Sequence, residues 1–212
     1  TLDLGLPDLD GWTVLDRLKN DLATRHIPIH IISASDGRQR GLKLGAVSYL
    51  QKPVTEEALS EALSNIRQFV ERGMRNLLVV EDDEAQRNSI VELIGNGDVV
   101  TEAVGTGEQA LGLLKEKHFD CLVLDLGLPD MTGFELIERI KSEAGLQELP
   151  IIIYTGKELS KSDETELRRM AETIIIKDVQ SPERLLDETA LFLHRVEVNL
   201  PEAMRRVLHQ LH

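Results

Sequence analysis

The amino-acid sequence predicts an α/β fold: a doubly wound, five-stranded parallel sheet, preceded by the C-terminal part of a second domain of the same kind. The heptapeptide Leu-Asp-Leu-Gly-Leu-Pro-Asp begins at Leu2 and recurs unchanged at Leu124, an offset of 122 residues and about the length of one domain. Short apolar runs such as residues 77–80 are typical of strands that are buried on both faces of a sheet. Segments of helical periodicity separate these runs, and regular alternation of strands and helices indicates a parallel sheet.

The second copy of the repeat shows this alternation in full. We expect its strands at residues 77–80, 99–103, 121–125, 151–154 and 174–177. We expect its helices at residues 84–94, 107–117, 133–142, 161–170 and 182–195. Right-handed crossovers between successive parallel strands then place helices on both faces of the sheet.

The first copy contains only the later elements of the pattern. We expect strands at residues 1–4, 29–33 and 48–51, and helices at 12–20, 38–44 and 55–72. By the spacing of the repeat, about 47 residues that would form its front have no counterpart before Thr1. The strand at Leu2 would then have an open edge, so we expect residues 1–72 to pack against another chain, as in a homodimer, or to be partly disordered.

We therefore divide the chain into three parts. Residues 1–72 are the C-terminal part of a first domain, residues 73–199 a complete second domain, and residues 200–212 a connector helix with an amphipathic pattern. We expect His194 and His209 to be surface residues of helices.

The composition excludes several classes of protein. The chain of 212 residues has 24 basic and 37 acidic residues and a net charge of −13, which argues against binding to nucleic acid or to an anionic membrane. Residues 1–72 have nine basic and ten acidic residues, a net charge of −1, which leaves −12 for the remainder. The single cysteine cannot form an internal disulfide, and this favours the cytoplasm. The apolar runs are much shorter than the roughly 20 residues of a membrane-spanning helix.

Chemically distinctive residues stand at the carboxyl ends of the predicted strands of the second copy. They are two acids, a third carboxylate, a hydroxyl and a lysine: Glu81, Asp82, Asp125, Thr155 and Lys177. Ligands of open parallel sheets bind at the carboxyl ends of the strands. Clustered carboxylates suit Mg²⁺, and a hydroxyl with a lysine suits an anionic ligand, so the set indicates phosphoryl transfer. Asp83 is better explained as the N-cap of the next helix.

Four motifs carry a resemblance to a known family: VVEDD at 79–83, LVLDLGLPDMTGFE at 122–135, PIIIYTG at 150–156 and IIIKD at 174–178. Together they resemble the receiver domain of two-component signalling proteins. The resemblance covers residues 76–195, and residues 1–72 resemble the later half of another receiver. It implies a flavodoxin-like sheet with strand order 2-1-3-4-5.

The resemblance also implies a role for each residue. Asp125 would be the phosphoryl acceptor, while Glu81, Asp82, Asp125 and the carbonyl of Gly127 would hold Mg²⁺. Thr155 and Lys177 would bind phosphoryl oxygens. The phosphodonor would be a histidine kinase or a phosphotransfer domain, and neighbouring receivers would be further partners. The fragment would be a self-catalysing phosphoacceptor from a hybrid sensor histidine kinase.

Each copy departs from the family pattern. In the second copy, Asp178 follows Lys177 where receivers usually have proline, and Ile174 stands where an aromatic residue is common. In the first copy Asp3, Ser33 and Lys52 match the family, but the acid pair is missing, so this site would be degenerate. We expect the Lys52–Pro53 peptide bond to be cis.

Two other functions fit parts of the pattern. A pseudo-receiver would keep the acidic pocket without being phosphorylated and would act as a docking or regulatory module in a histidine kinase. A phosphatase-like enzyme on a related sheet needs an acid two residues after its nucleophile, where this chain has Gly127, and this function ranks last. Labelling by a small acyl phosphate with Mg²⁺ would separate a receiver from a pseudo-receiver.

Overall fold

The computed structural model describes residues 1–95 and 97–212 and divides into two compact units. The first unit combines Thr1–Gly73 with His194–His212, and the second unit is Met74–Leu193. Residues 194–199, which we expected in the second domain, therefore belong to the unit that contains the first copy of the repeat. In the described part of the chain, no helix has the length and hydropathy needed to cross a membrane.

The first unit contains the later half of the repeat. Its elements are α1 (Gly11–Asn20), β1 (His30–Ser33), α2 (Arg38–Lys43), β2 (Ser48–Gln51) and α3 (Glu56–Glu71). Strands β1 and β2 are parallel. The strand that we expected at residues 1–4 is reduced to one parallel bridge between Leu2 and Ile31. The Lys52–Pro53 peptide bond is cis, as predicted.

The second unit is built on the predicted five-stranded parallel sheet. Its strands are β3 (Arg75–Val80), β4 (Val99–Val104), β5 (Cys121–Leu124), β6 (Ile151–Thr155) and β7 (Thr173–Ile176). They lie in the order β4-β3-β5-β6-β7, which is 2-1-3-4-5 when they are counted from the first strand of this unit. The predicted fold class and strand order are therefore confirmed.

The helices between these strands also follow the predicted pattern. They are α4 (Glu84–Ile94), α5 (Gly107–Glu116), α6 (Gly133–Ser142), α7 (Lys161–Met170) and α8 (Ser181–Phe192). The last of them ends at Phe192, whereas we expected it to continue to residue 195.

The sheet of the second unit is buried on both faces. Alternate residues of β3 and β5 belong to two different apolar clusters: Leu78, Val80, Leu122 and Leu124 to one, and Leu77, Val79, Cys121 and Val123 to the other. Burial of each large apolar side chain contributes roughly 1.5–3 kcal/mol to folding, so the strand ends are held on a rigid frame. Cys121 is a free cysteine buried in this core.

The C-terminal segment joins the first unit through buried contacts. Helix α9 (Glu202–Leu211) lies within the predicted connector segment 200–212, and its Leu208 is buried. The prediction for His194 was wrong, since this residue lies outside the helices, has a φ of 50° and is buried. Its Nδ1 atom lies 3.3 Å from the Nζ of Lys19, and its ring packs edge-on against Phe69. His209 is exposed on α9, as predicted.

Candidate functional site

The central strands bring three carboxylates together at one end of the sheet. Glu81 and Asp82 directly follow β3, and Asp125 directly follows β5, its neighbour in the sheet. Val80 pairs with Leu124 in this ladder, and the Asp125 N–H donates to the Val80 carbonyl at 2.9 Å. One carboxylate oxygen from each of the three acids lies within 4.8 Å of the other two.

This acid cluster is buried on one side and open on the other. Glu81 is 1% exposed and Asp125 is 9% exposed, whereas Asp82 is exposed. Burial raises the pKa of Glu81, and the nearby Asp125 charge acts in the same direction, although hydrogen bonding to Lys177 opposes both. The cluster therefore concentrates negative charge at a point that solvent can reach from the Asp82 side.

The two carboxylate oxygens of Asp125 differ in their hydrogen bonding. Its Oδ2 accepts the Gly127 N–H at 3.3 Å, but its buried Oδ1 has no hydrogen-bond partner in the described part of the chain. A buried carboxylate oxygen in this state is costly, since most buried polar atoms are paired. Oxygen ligands from several acids around such an atom fit a hard divalent cation such as Mg²⁺. Metal binding by the Gly127 carbonyl stays a prediction.

Lys177 places a positive charge beside Glu81 and close to Asp125. It directly follows β7, and its Nζ donates to Glu81 Oε2 and to Gln86 Oε1, both at 2.7 Å. The same nitrogen lies 3.8 Å from Asp125 Oδ1 and 5.3 Å from the centroid of the Tyr154 ring. The lysine thus approaches the predicted acceptor without forming a hydrogen bond to it.

Thr155 ends β6 as a buried residue. Its Oγ1 accepts the N–H of Lys157 at 3.2 Å, which fixes the turn after the strand. A hydroxyl that accepts one hydrogen bond can still donate its own proton. Binding of phosphoryl oxygens by Thr155 is compatible with this contact and stays a prediction.

The loop that carries the two acids is fixed by the start of α4. Asp83 caps this helix as predicted, because its side chain accepts the Gln86 N–H at 2.9 Å. Arg87 Nη1 donates to the carbonyls of Glu81 at 2.8 Å and Asp82 at 3.1 Å. Neither Gln86 nor Arg87 was predicted as a site residue. Both are polar residues on an exposed helix turn, and only their proximity to the acid pair in sequence could have indicated a role.

The segment after Lys177 forms a turn without the usual proline. The Asp178 N–H donates to Ser181 Oγ at 3.1 Å, and the Asp178 side chain accepts the Gln180 N–H at 2.9 Å. Ser181 Oγ also lies 2.9 Å from the hydroxyl of Tyr154. Asp178 therefore forms local hydrogen bonds that a proline could not make at its backbone nitrogen.

In the first unit, the residues equivalent to Asp125, Thr155 and Lys177 are arranged differently. Lys52 Nζ binds Asp3 Oδ2 directly at 2.5 Å, and this hydrogen bond lowers the pKa of Asp3. Ser33 Oγ lies 3.0 Å from Ser35 Oγ. Within residues 1–95 and 97–212, the group of acids close enough to share one cation is the one in the second unit.

Sequence comparisons identify relatives of both units. The response regulator receiver domain family matches residues 1–64 and 77–190. The two-component response regulator ORR5 of Oryza sativa subsp. japonica is 32% identical over 113 residues, which cover 52% of this chain and 84% of ORR5. PhoP of Pseudomonas aeruginosa is 35% identical over 107 residues, covering 50% of this chain and 47% of PhoP. The response regulator PleD of Caulobacter vibrioides is 24% identical over 180 residues, covering 71% of this chain and 39% of PleD.

Solved structures show the same fold. The chemotaxis response regulator CheY4 of Vibrio cholerae superimposes with a TM-score of 0.51 at 23% identity, covering 56% of this chain and 98% of CheY4. A CheY-like receiver domain protein from Methanospirillum hungatei JF-1 gives a TM-score of 0.51 at 26% identity, covering 57% of this chain and 94% of that protein. The chain therefore belongs to the response regulator receiver domain family, whose domain it contains twice.

Proposed function

We propose that the second unit is a phosphoacceptor receiver that takes a phosphoryl group from a histidine onto Asp125 in a Mg²⁺-dependent reaction. One observation carries the proposal. The Oδ1 atom of Asp125 is buried and lacks a hydrogen bond in the described part of the chain, and it lies 3.8 Å from the Lys177 ammonium. An oxygen with a free lone pair thus lies near a positive charge, on a residue that is grouped with two further acids.

The proposed reaction forms one bond and breaks another. An oxygen of Asp125 attacks the phosphorus, the P–N bond to the donor histidine breaks, and the imidazole nitrogen takes the electron pair and then a proton. The product is an acyl phosphate on Asp125. Lys177 would offset the charge on the transferred oxygens, and Thr155 would donate a hydrogen bond to one of them.

Glu81, Asp82 and Asp125 are the residues that would hold the metal ion. When bound, Mg²⁺ would neutralise negative charge between the acids and the incoming group. Glu81 is a poor competitor as nucleophile, because both of its oxygens accept hydrogen bonds: Oε2 from Lys177 at 2.7 Å and Oε1 from the Asp83 N–H at 3.4 Å. The contacts therefore favour Asp125 as the acceptor and Glu81 as a metal ligand.

Labelling with acetyl phosphate tests this function. The wild-type chain should gain one phosphoryl group in the presence of Mg²⁺ and none in excess EDTA, as measured by intact-protein mass spectrometry. Asp125→Asn should abolish the gain without loss of far-ultraviolet circular dichroism. Undiminished labelling of Asp125→Asn would refute the assignment, and an unlabelled wild-type chain would favour the pseudo-receiver.

For the first unit, we propose a docking role without phosphorylation. The direct contact between Lys52 and Asp3 supports this role, because the ammonium occupies the carboxylate that would act as the nucleophile. Its partners would be neighbouring receivers, and a homodimer through residues 1–72 stays a prediction. Sedimentation equilibrium of the chain across a range of concentrations tests the homodimer.

At the level of the whole protein, we propose a phosphorelay in the cytoplasm. The phosphodonor would be a histidine kinase or a phosphotransfer domain, and the parent protein would be a hybrid histidine kinase. The presence of two receiver copies in one chain supports a relay. Transfer from a panel of purified phosphorylated histidine kinases, compared by initial rate, would identify the donor.

A further inference from the structure

We propose that Gln86 is a positioning residue that holds the Lys177 ammonium beside Glu81 and away from Asp125 until a phosphoryl group arrives. The proposal rests on the proposed function of Asp125 as acceptor. It concerns a contact that is present before phosphorylation, and it assigns a role to a side chain outside the predicted acceptor, metal and phosphoryl-binding sets.

The hydrogen bonds of Lys177 are directed away from the acceptor. A lysine ammonium has three hydrogens to donate. Two of them go to Gln86 Oε1 and Glu81 Oε2, both at 2.7 Å, while Asp125 Oδ1 lies at 3.8 Å. Opposite charges attract at this distance, so the two shorter contacts are needed to keep the ammonium from closing on Asp125.

Gln86 is well placed to resist this attraction. It lies in the first turn of α4, where its backbone N–H is bound to the Asp83 side chain at 2.9 Å. The same helix is anchored in the apolar core through Ile90 and Ile94. The amide oxygen of Gln86 therefore extends from a fixed backbone.

The first unit shows the other arrangement. There Lys52 lies 2.5 Å from Asp3, the residue equivalent to Asp125. A lysine at this place in the fold can therefore close on the carboxylate, and variants of Gln86 test what keeps Lys177 from doing so.

The position of the ammonium matters for the chemistry. A carboxylate oxygen that accepts a strong hydrogen bond from an ammonium has a lone pair engaged, and it is a weaker nucleophile. An ammonium held a short distance away leaves the oxygen free, yet it can still reach the oxygens of a transferred phosphoryl group. Gln86 would thus set the starting geometry for phosphoryl uptake.

Two measurements on the full chain test the proposal. The variant Gln86→Met has a side chain of similar length and no amide oxygen, whereas Gln86→Glu keeps an oxygen acceptor. Asn88→Met, on an exposed part of the same helix, is the matched control. The first measurement is the ¹⁵N NMR signal of the Lys177 ammonium in metal-free protein, assigned by its loss in Lys177→Ala. The second is the initial rate of Asp125 labelling by acetyl phosphate.

We expect the ammonium signal to shift or broaden in Gln86→Met and to be retained in Gln86→Glu and Asn88→Met. Labelling of Gln86→Met should slow by roughly threefold to tenfold, the effect of losing one hydrogen bond to a partly exposed ammonium. In the Lys177→Ala background, Gln86→Met should cause no further slowing, because Gln86 acts through the lysine.

Two outcomes would overturn the proposal: an unchanged ammonium signal in Gln86→Met, or an equal loss of rate with and without Lys177. A wild-type chain that takes up no phosphoryl group would refute the proposed function instead. In that case the ammonium signal still decides whether Gln86 holds the lysine.

Discussion

The equivalent lysines of the two copies, Lys177 and Lys52, have different hydrogen-bond partners. Lys177 binds Glu81 and Gln86, and Asp125 Oδ1 has no hydrogen bond in the described part of the chain, whereas Lys52 binds Asp3 directly. The equivalent carboxylate therefore has an oxygen without a hydrogen bond in one unit and is bound by its lysine in the other. This difference supports our proposal that the second unit is the one phosphorylated.

Replacement of Lys177 tests its role in charge neutralisation. Lys177→Ala should slow labelling by about 10- to 100-fold, since a fixed charge at the transferred group is lost. Mg²⁺ binding, measured by isothermal titration calorimetry, should persist because the three acids remain. Lys157→Ala, at an exposed position, is the control. Unchanged labelling of Lys177→Ala would show that the lysine takes no part in the reaction.

His30 predicts a pH dependence of the first unit. Burial lowers the pKa of His30 from its ordinary value of 6.5 to about 4. Between these values the unfolded chain binds a proton that the native chain does not, so stability should fall as the pH falls from 6.5 toward 4. Trp12 is the single tryptophan and lies in the first unit, so its fluorescence during urea unfolding reports this stability.

His30→Gln removes the titrating group and should reduce this pH dependence. An identical loss of stability in the wild-type chain and in the variant would show that other groups cause it.

Some site residues were predictable and others were not. Glu81, Asp125 and Lys177 stand out because each follows an apolar strand, and the carboxyl ends of parallel strands lie on one edge. Gln86 could not be identified in this way, because glutamine is common on exposed helix turns. His194 was placed wrongly on a helix surface, since its burial depends on contacts with Lys19 and Phe69, which are distant in sequence.

Among the secondary-structure elements, one helix in each copy begins with a glycine that packs closely against the loop after the preceding strand. A Cβ at Gly133 would lie 2.5 Å from Leu126 Cδ2 and 2.8 Å from Leu126 Cα. A Cβ at Gly11 would lie 2.5 Å from the Cα of Leu4, the equivalent residue of the first copy. Both helices therefore begin in close contact with the loop after the acidic residue, which explains the shared glycine.

Substitution of Gly133 tests this packing. Gly133→Ala should destabilise the second unit by about 2 kcal/mol, because the methyl group would overlap the backbone of Leu126. Gly112→Ala is the matched control in the interior of α5, where nothing lies within 4 Å of an added Cβ, and it should be neutral or slightly stabilising. Hydrogen exchange of peptides from the second unit measures both effects. Equal exchange in the two variants would contradict the packing argument.

Periodicity located the strands and helices of the second unit, but some element ends and links depend on tertiary contacts. One feature that both copies share was not predicted. Lys19 donates to the carbonyls of Arg25 and Ile27, and the equivalent Lys141 donates to those of Gln147 and Leu149. From the sequence alone, a lysine near the end of a helix would be predicted to face solvent. Its burial becomes visible only once the loop folds back over it.

At the scale of the whole molecule, both ends of the chain belong to one unit. We expected residues 194–199 in the second domain, yet they belong with Thr1–Gly73. Arg25 Nη1 lies 3.0 Å from His212 Nε2, and Lys19 Nζ lies 3.3 Å from His194 Nδ1. Such contacts join segments that no local pattern connects.

Two leucines of α9 test the contribution of the C-terminal segment. Leu208 is 1% exposed and Leu211 is 44% exposed. Leu208→Ala should lower the stability of the first unit by about 2–3 kcal/mol, whereas Leu211→Ala should change it little. Urea unfolding followed by Trp12 fluorescence measures both variants. Equal stability of the two variants would mean that α9 does not stabilise this unit.

Under our proposal, the heptapeptide at Leu124 carries a working phosphoryl acceptor and the identical heptapeptide at Leu2 does not. The most direct measurement is site-resolved mapping of phosphoryl groups in the wild-type chain after treatment with acetyl phosphate and Mg²⁺. Peptide mass spectrometry distinguishes Asp125 from Asp3 because their flanking sequences differ. We predict Mg²⁺-dependent labelling of Asp125 with Asp3 unlabelled. Labelling of Asp3 in preference to Asp125, or of neither residue, would contradict the claim.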